Sequence, residues 1–388
     1  MTMLCKHFND CGGCDSQDVP YPEQLAAKKA GLEKLFSGFE DLKVEDIVAS
    51  PEIWHYRNKM EYAVKRLDGR VLLGLRKKKR FYRVVDLEEC LIFHGGVKAI
   101  FDIVKGWISD QGVEIYNMFD HTGTLKYIAL RHGKFHDEMM VTLVVSASEE
   151  KLHTDTAMYS DLAGRLRAIP DIKSVYLCVN NGIADVAITD SVLLLAGEGA
   201  IRERVNGIDY RIEPASFFQT NSYCCNALYD VVKGEAAKAG VGSALDLFCG
   251  SGGITLQLAQ RFDRVTGIDI SPKNIEDAKK SAAENRIGNA EFICADADKY
   301  LAGLKESGVI RDLSAIVVDP PRSGLTKSSS AMLAQSGAPR IIYVSCNAET
   351  LKKDLEELMP SYRIERMVPV DMFPHTRHLE VVVALTKE

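Results

Sequence analysis

From Gly242 onward the chain alternates short apolar runs with amphipathic ones, and that alternation limits the fold more than any other feature of the sequence. "SALDLFCGSGG" runs from a strand into a glycine loop, "ITLQLAQRF" continues as a helix, and "RVTGIDIS" is the next strand. Ser271 and Pro272 then open the helix "SPKNIEDAKKSAAENR", a serine cap followed by a proline in the first turn. "AEFICADA", "LSAIVVDPPR" and "RIIYVSC" read as further strands, each followed by a loop or helix. Strands separated by helices need crossover connections, so the pattern predicts an α/β domain with a parallel, doubly wound, Rossmann-like sheet and helices on both faces. "SYRIERMVPVD" and "HLEVVVAL" lie too close together for a crossover and should pair antiparallel.

Such sheets bind ligands beyond the carboxyl ends of their strands, and the chemistry-bearing residues of this sequence fall there. The loop Asp246 to Gly253 offers Gly250 and Gly253 where a backbone must approach a ligand closely. Asp269, about 20 residues on, is placed to accept ribose hydroxyls, and Asp296 to reach an adenine edge. "CGSGG" does not fit the G-x-G-x-x-G of a dinucleotide enzyme. Further strand ends supply Asp319 in "VVDPPRSGL", Cys346 in "VSCNAET" and Glu380 in "HLEVVVAL". A cysteine in a strand usually packs as a small hydrophobe, but the apolar run stops at Val344, before Cys346. The bland readings are core packing for Cys346, a surface strand position for Glu380 and a turn cap for Asp319.

Together "FFQTN", "LDLFCGSGG", "DPPRSGL", "SCNAETL" and "DMFPHTRHLE" resemble the RNA uracil-5-methyltransferase family, a class of S-adenosylmethionine (SAM) enzymes, and "YRNKMEYAV" extends the likeness into the central region. The resemblance implies that Gln219, Phe248, Asp269 and Asp319 line a SAM site, that Cys346 is the nucleophile and that Glu380 is the base. The chemistry suits these residue types. C5 of uracil is a poor nucleophile until a thiolate adds at C6 and pushes electrons into the ring. After methyl transfer C5 still bears a hydrogen, and a positioned acceptor must remove it. The target base must be unstacked, with Phe217 or a neighbouring aromatic as its stacking partner. Alternatives within reach of the same motifs are a transfer RNA uracil-5 enzyme, an RNA cytosine-5 methyltransferase and a non-catalytic iron-sulfur RNA-binding protein.

Cysteine usage adds a second expectation. Ten cysteines in a chain whose start, "MTMLCKHFND", carries no signal-peptide core suggest a cytoplasmic protein without disulfides. Cys5, Cys11 and Cys14 are spaced C-x5-C-x2-C, and Cys90 in "DLEECLIF" offers a fourth thiol. Four thiolates satisfy zinc or a [4Fe-4S] cluster equally. The resemblance selects the cluster, because cluster-bearing relatives use this spacing. It also points to 23S ribosomal RNA over transfer RNA, because many relatives carry an RNA-binding β-barrel ahead of the cluster and this chain starts at the cluster. Asp269 and the pair Asn347 and Ala348 depart from the family's usual glutamate and asparagine-proline without removing a reacting group.

The intervening region reads as mixed α+β, with strands at "KMEYAVKR", "RVLLGLR", "LKYIALRH", "MMVTLVVSA" and "SVYLCVN" and helices near Val97 to Ser109 and Asp155 to Ala168. The predicted division is a cysteine segment with a helix over 1–45, a central RNA-binding domain over 46–205 contributing Cys90, and the SAM domain over 206–388. Net charge is -6, which argues against indiscriminate nucleic-acid coating. "RKKKRFYR", Arg76 to Arg83, nevertheless interleaves cations with Phe81 and Tyr82, suited to phosphate contact and base stacking or to a merely solvated face. No run reaches the roughly 18 apolar residues of a membrane span, and no obligate protein partner is indicated.

Overall fold

The computed structural model describes residues 3–40, 42–182, 191–307 and 312–388. The chain forms two units. One comprises Met1–Asp18, Ile53–Arg204 and Arg211–Ala215; the other comprises Val19–Glu52, Val205–Tyr210 and Ser216–Glu388.

The first unit is built on β1 (Lys59–Leu67), β2 (Arg70–Lys77), β3 (Arg80–Asp86), β4 (Leu125–Gly133), β5 (Glu138–Val145), β6 (Ile172–Val179) and β7 (Ser191–Gly197), in the order β3-β2-β1-β4-β5-β6-β7. All neighbours are antiparallel except β5 and β6. That parallel pair needs a crossover, and the helix Glu149–Arg167 supplies it, starting ahead of the expected Asp155 because Ser148 caps it. The helix Val97–Asp110 buries Ile100, Phe101, Val104, Trp107 and Ile108, an i, i+3, i+4 apolar stripe. β3 was not expected as a strand. Its sequence begins Arg-Phe-Tyr-Arg and its first four residues are exposed, so it lacks the buried alternate positions that reveal a strand to sequence reading.

In the second unit β10 (Ser243–Leu247), β11 (Arg264–Asp269), β12 (Ala290–Cys294), β13 (Leu313–Val318), β14 (Arg340–Ser345), β15 (Tyr362–Val370) and β16 (Glu380–Lys387) follow the short β8 (Ile201–Val205) and β9 (Ile208–Ile212), which lie where the chain crosses between units. The sheet order is β12-β11-β10-β13-β14-β16-β15. Its first five strands are parallel, and β16 inserts antiparallel between β14 and β15, as the short connection between the last two strands required. The order reverses between β10 and β13, which opens a crevice at their carboxyl ends.

The predicted division into three differs from the structure: Met1–Asp18 forms one unit with Ile53–Arg204, and the chain crosses between units more than once over residues 205–215. Residues 19–52 belong with the second unit, not with a cysteine segment or a central domain. The physical reason is burial: Leu32, Phe36 and Val44 are inserted in the core that contains Leu355, Leu358, Tyr362 and Met367. Val44 and Val48 also bridge Met367 and Val370 at the open edge of β15. No helix among the described residues is long and apolar enough to cross a membrane.

Candidate functional site

Gln219 apart, the expected residues lie at or after the ends of β10, β11, β12, β13 and β14 and at the start of β16. Gln219, Phe248, Gly253 and Asp319 share a pocket, Gly250 is bonded to Asp269, and Asp319 acts on Cys346 and Glu380, whereas Asp296 is not among the pocket's lining. The turn out of β10 needs left-handed backbone at three positions: Phe248 has φ 63°, Gly250 54° and Gly252 85°. A side chain in that conformation is uncommon. The turn delivers the Gly250 N–H to Asp269 Oδ2 at 3.0 Å. The other oxygen of Asp269 accepts from the Ser271 N–H at 2.8 Å and from Asn274 Nδ2 at 3.2 Å. This carboxylate is therefore fixed at the end of β11 before any ligand arrives. Gly253 is required for a different reason. A Cβ there would lie 2.3 Å from the hydroxyl of Tyr229.

Gln219, Phe248, Gly253 and Asp319 line one pocket together with Phe217, Tyr229 and Ser251. Gln219 Nε2 donates to Asp319 Oδ2 at 3.3 Å. Burial pushes the Asp319 carboxyl up to about 7, opposed by that hydrogen bond. Next to it in the sheet, Asp246 is fully buried and pushed up to about 8, chiefly by burial; Thr255 Oγ1 donates to it at 2.5 Å, while Oδ1 has no partner. Ser251 Oγ is also buried without a hydrogen-bond partner, and because it faces the pocket it is ready to meet a polar ligand. Asp246 and Ser251 were not singled out from sequence as site residues, although both lie inside the glycine-loop motif. Asp296 stands at the end of β12, where its Oδ1 accepts from the Lys299 N–H at 3.1 Å and caps the following helix.

Cys346 follows β14 directly, and Asn347 caps the helix Ala348–Leu358 through the Glu349 N–H. Ser345 pairs with Val381 in the antiparallel β14–β16 register, so Cys346, one residue past Ser345, and Glu380, one residue before Val381, come from adjoining strand ends, and the charge of Glu380 acts on the Cys346 thiol. Cys346 is half-buried and its thiol is pushed up to about 11, first by burial, then by the charges of Glu380 and Asp319, with Arg322 opposing. Glu380 is buried, Oε2 has no hydrogen-bond partner, and burial and then Asp319 hold its carboxyl well above the usual range, again with Arg322 opposing. Arg322, from the "DPPRSGL" segment, is thus the cation that sequence reading passed over. The turn ahead of Glu380 is anchored by the helix Tyr21–Leu35. Lys28 Nζ pairs with Asp371 at 2.6 Å, and Gln24 accepts from the His375 N–H at 3.0 Å.

The first unit contains a separate pocket lined by Cys5, Cys11, Cys14 and Cys90, with Leu75, Leu87 and Ile92 as apolar wall. Sulfur acceptors meet backbone donors there: the Gly13 N–H reaches Cys11 Sγ at 3.3 Å, and His7, Leu91 and Ile92 donate to Cys5 or Cys90. Burial raises all four thiols, so they are unlike exposed redox thiols. Among the described residues the group of His, Cys, Asp or Glu ligand atoms lying within 4.8 Å of one another is His94, His132 and Asp137. No three of the cysteine sulfurs, among the described residues, lie within 4.8 Å of one another.

Residues 198–388 match the tRNA (uracil-5-)-methyltransferase family. A Halalkalibacterium halodurans protein named as an RNA methyltransferase is 34% identical over 98% of this chain and 82% of its own length. A Clostridium acetobutylicum protein of the same description is 32% identical over 99% and 84%. Among solved structures, the tRNA (uracil-54, C5)-methyltransferase of Pyrococcus abyssi in complex with S-adenosyl-L-homocysteine superposes with a TM-score of 0.77, at 32% identity, over 97% of this chain and 86% of that one.

Proposed function

The chain belongs to the RNA uracil-5-methyltransferase family and is a SAM-dependent RNA methyltransferase, and from that premise we propose that Cys346 and Glu380 convert uridine in ribosomal RNA to 5-methyluridine. The observation that carries this reading is that Cys346 and Glu380 come from the adjoining ends of β14 and β16, with Asp319, which lines the pocket with Gln219 and Phe248, acting on both.

Once the Cys346 thiol has released its proton to solvent, the thiolate forms a bond to C6 of the flipped uracil, and the C5–C6 electron pair moves toward O4. SAM supplies the methyl group, which C5 takes as the sulfonium bond breaks. Glu380 then removes the C5 proton, the C5–C6 double bond re-forms, and the bond to Cys346 breaks with its electrons returning to sulfur. The raised proton affinity of Glu380 suits a group that must take a proton from carbon. Both groups hold their protons at rest, so Cys346 must ionise before it attacks and Glu380 before it accepts the C5 proton, and Arg322 is the group that favours ionisation of both. Gln219, Phe248, Gly250, Gly253, Asp269 and Asp319 hold the methyl donor, and Asp296 presents its carboxylate to the adenine edge. Phe217, 58% exposed, is the stacking partner for the unstacked base.

The cysteine pocket supports a [4Fe-4S] cluster held by Cys5, Cys11, Cys14 and Cys90: four convergent sulfurs, backbone donors aimed at them and an apolar wall are the surroundings in which such clusters sit. When bound, the cluster cross-links the amino-terminal segment to the loop carrying Cys90, and the methyl transfer asks no electron of it. Cytoplasmic location follows from the reduced thiols such a cluster needs.

The cluster-bearing type is the ground for ribosomal RNA. Transfer RNA is the second reading, favoured by the likeness to the Pyrococcus enzyme. Incubating the purified protein and methyl-labelled SAM with RNA from a strain lacking the gene, followed by separation of ribosomal from transfer RNA and nucleoside analysis, tests both. Label in 5-methyluridine from ribosomal RNA is expected. Label confined to transfer RNA selects the second reading, 5-methylcytidine overturns the assignment of the base, and no label in either fraction overturns the reaction.

A further inference from the structure

The β2–β3 hairpin displays side chains that neither the pocket nor the cysteine site uses. Phe81 is 65% exposed and Tyr82 41% exposed, with ring centroids 6.0 Å apart and planes at 83°. A second pair stands beside them. The loop after Tyr116 exposes Met118 and Phe119, the latter to 70%, and Arg76 reaches from the hairpin to Met118 Sδ at 3.6 Å and to the Phe81 carbonyl at 2.7 Å. The loop is held open rather than collapsed over its ring. Asn117 Oδ1 accepts from the Phe119 N–H at 3.1 Å, Asn117 Nδ2 donates to Asp120 at 2.8 Å, and Asp120 also accepts from Thr122. Aromatic groups fixed in solvent on a rigid support mark a binding surface.

Charge selects the occupant. Lys79 and Arg80 at the hairpin turn form no ion pair among the described residues, and Arg83 lies over the Tyr82 ring at 5.9 Å, in a chain whose net charge is -6. A local excess of cations with interleaved rings matches an anionic polymer that has flat faces to stack. The hairpin is also tied to the cysteine segment: Cys11 bridges Lys77, the Gly12 N–H donates to the Arg76 carbonyl at 2.9 Å, and the Lys78 N–H donates to the Asp10 carbonyl at 2.9 Å. A Cβ on Gly12 would sit 2.9 Å from that same Arg76 oxygen, so glycine between the cysteines is what lets the segment lie against the hairpin.

We propose that the β2–β3 hairpin with the Met118–Phe119 loop is a stacking platform for unpaired nucleotides of RNA, held in register by the cysteine segment packed on its turn. It rests on the reading of the protein as an RNA enzyme but adds a contact separate from the methylated base. The test measures binding of a fluorescein-labelled oligouridylate by anisotropy, with an RNA duplex of equal length as comparison. Loss of a base stacked on one aromatic ring weakens single-stranded binding by about 5- to 150-fold, so Phe81→Ala with Tyr82→Ala is expected to weaken the oligouridylate in that range and the duplex far less. Phe81→Trp restores affinity. Lys79→Ala with Arg80→Ala lowers the slope of log affinity against log salt by roughly 1.4, at about 0.7 per phosphate contact. Gly12→Ala weakens the oligouridylate as the aromatic pair does, because its Cβ presses on the Arg76 carbonyl and displaces the segment that holds the turn. Unchanged oligouridylate affinity in the aromatic variant overturns the platform even if methylation proceeds. Failure of the wild-type protein to methylate any RNA, with the aromatic effect intact, leaves the platform standing and sinks the proposed reaction instead.

Discussion

Thiol exchange at Cys346 as a function of pH tests the electrostatics on which the proposed site rests. The perturbation is pH itself, and the reporter is reaction with dipyridyl disulfide, read by mass spectrometry on the peptide containing Cys346. Exposed Cys294 serves as an internal control for reagent decay. A thiol pushed up to about 11 is ionised in roughly one molecule in 1,000 at about pH 8. An unperturbed thiol near about 8.5 is ionised in roughly one in four, a ratio of about 240. The scarcer thiolate is the better nucleophile, and a Brønsted slope of about 0.4–0.5 over about 2.5 pKa units returns roughly a factor of 13. Cys346 is therefore expected to react about 20-fold more slowly than an ordinary thiol at about pH 8. Its rate should climb close to tenfold per pH unit and still be rising at about pH 10. Partial burial slows the reaction equally at every pH, so the shape of the profile, not its height, is diagnostic. Glu380→Gln and Asp319→Asn remove charges that oppose ionisation and shift the profile to lower pH, whereas Arg322→Ala shifts it higher. A wild-type rate that levels off below about pH 9 would show that the site stabilises the thiolate, and the account of burial and facing carboxylates would be wrong.

Glu380→Gln should add to C6 and transfer methyl yet fail to eliminate, leaving a protein–RNA band on a denaturing gel while turnover falls about 10²–10⁴-fold; free turnover at the wild-type rate removes Glu380 from the role of base. Asp246 is protonated in the folded chain up to about pH 8 and in the unfolded chain only to about pH 4, so the stability it contributes is complete at low pH and declines as pH rises through that window. Asp246→Asn should flatten that decline in thermal melts, and a variant whose melting temperature tracks wild type across the window would contradict it. Gly253→Ala forces a methyl against Tyr229, which is buried; overpacking of about 1–3 kcal/mol should appear as a lower denaturation midpoint together with weaker SAM binding by calorimetry. Protein isolated without oxygen should be brown and contain iron and labile sulfide in about equal amounts, and Cys90→Ser should lose both; colourless protein with stoichiometric zinc would replace the cluster by a mononuclear site.

The methyltransferase architecture was legible because each level of the sequence agreed with the next. Apolar runs of five or six residues, a serine-proline helix start at Ser271 and glycines after Leu247 each restrict local backbone, and local restriction is what a one-dimensional pattern records. The same reasoning found Cys346, since the end of an apolar run is visible without a structure. Other features needed the folded chain. The 19–52 segment looks like a tether to the cysteines in sequence, but Leu32, Phe36 and Val44 join a core that runs from Leu245 to Leu385, and no local pattern encodes that distance. β3 was missed because its Arg-Phe-Tyr-Arg start is exposed and shows no buried alternation to mark its pairing with β2.

What the sequence determined by itself was therefore the alternation of strands and helices in the methyltransferase half, the class of reaction its motifs resemble and the candidate reacting groups. Only the tertiary structure decided how those groups behave: that Glu380 and Cys346 come from adjoining ends of β14 and β16, that Asp246 and Asp319 are both buried with the charge of Asp319 acting on Asp246, and that Arg322 is the cation acting on Cys346 and Glu380. Residue type sets the ordinary proton affinity of a side chain, but burial and neighbouring charge, which depend on contacts between distant parts of the chain, set the one it has in the protein.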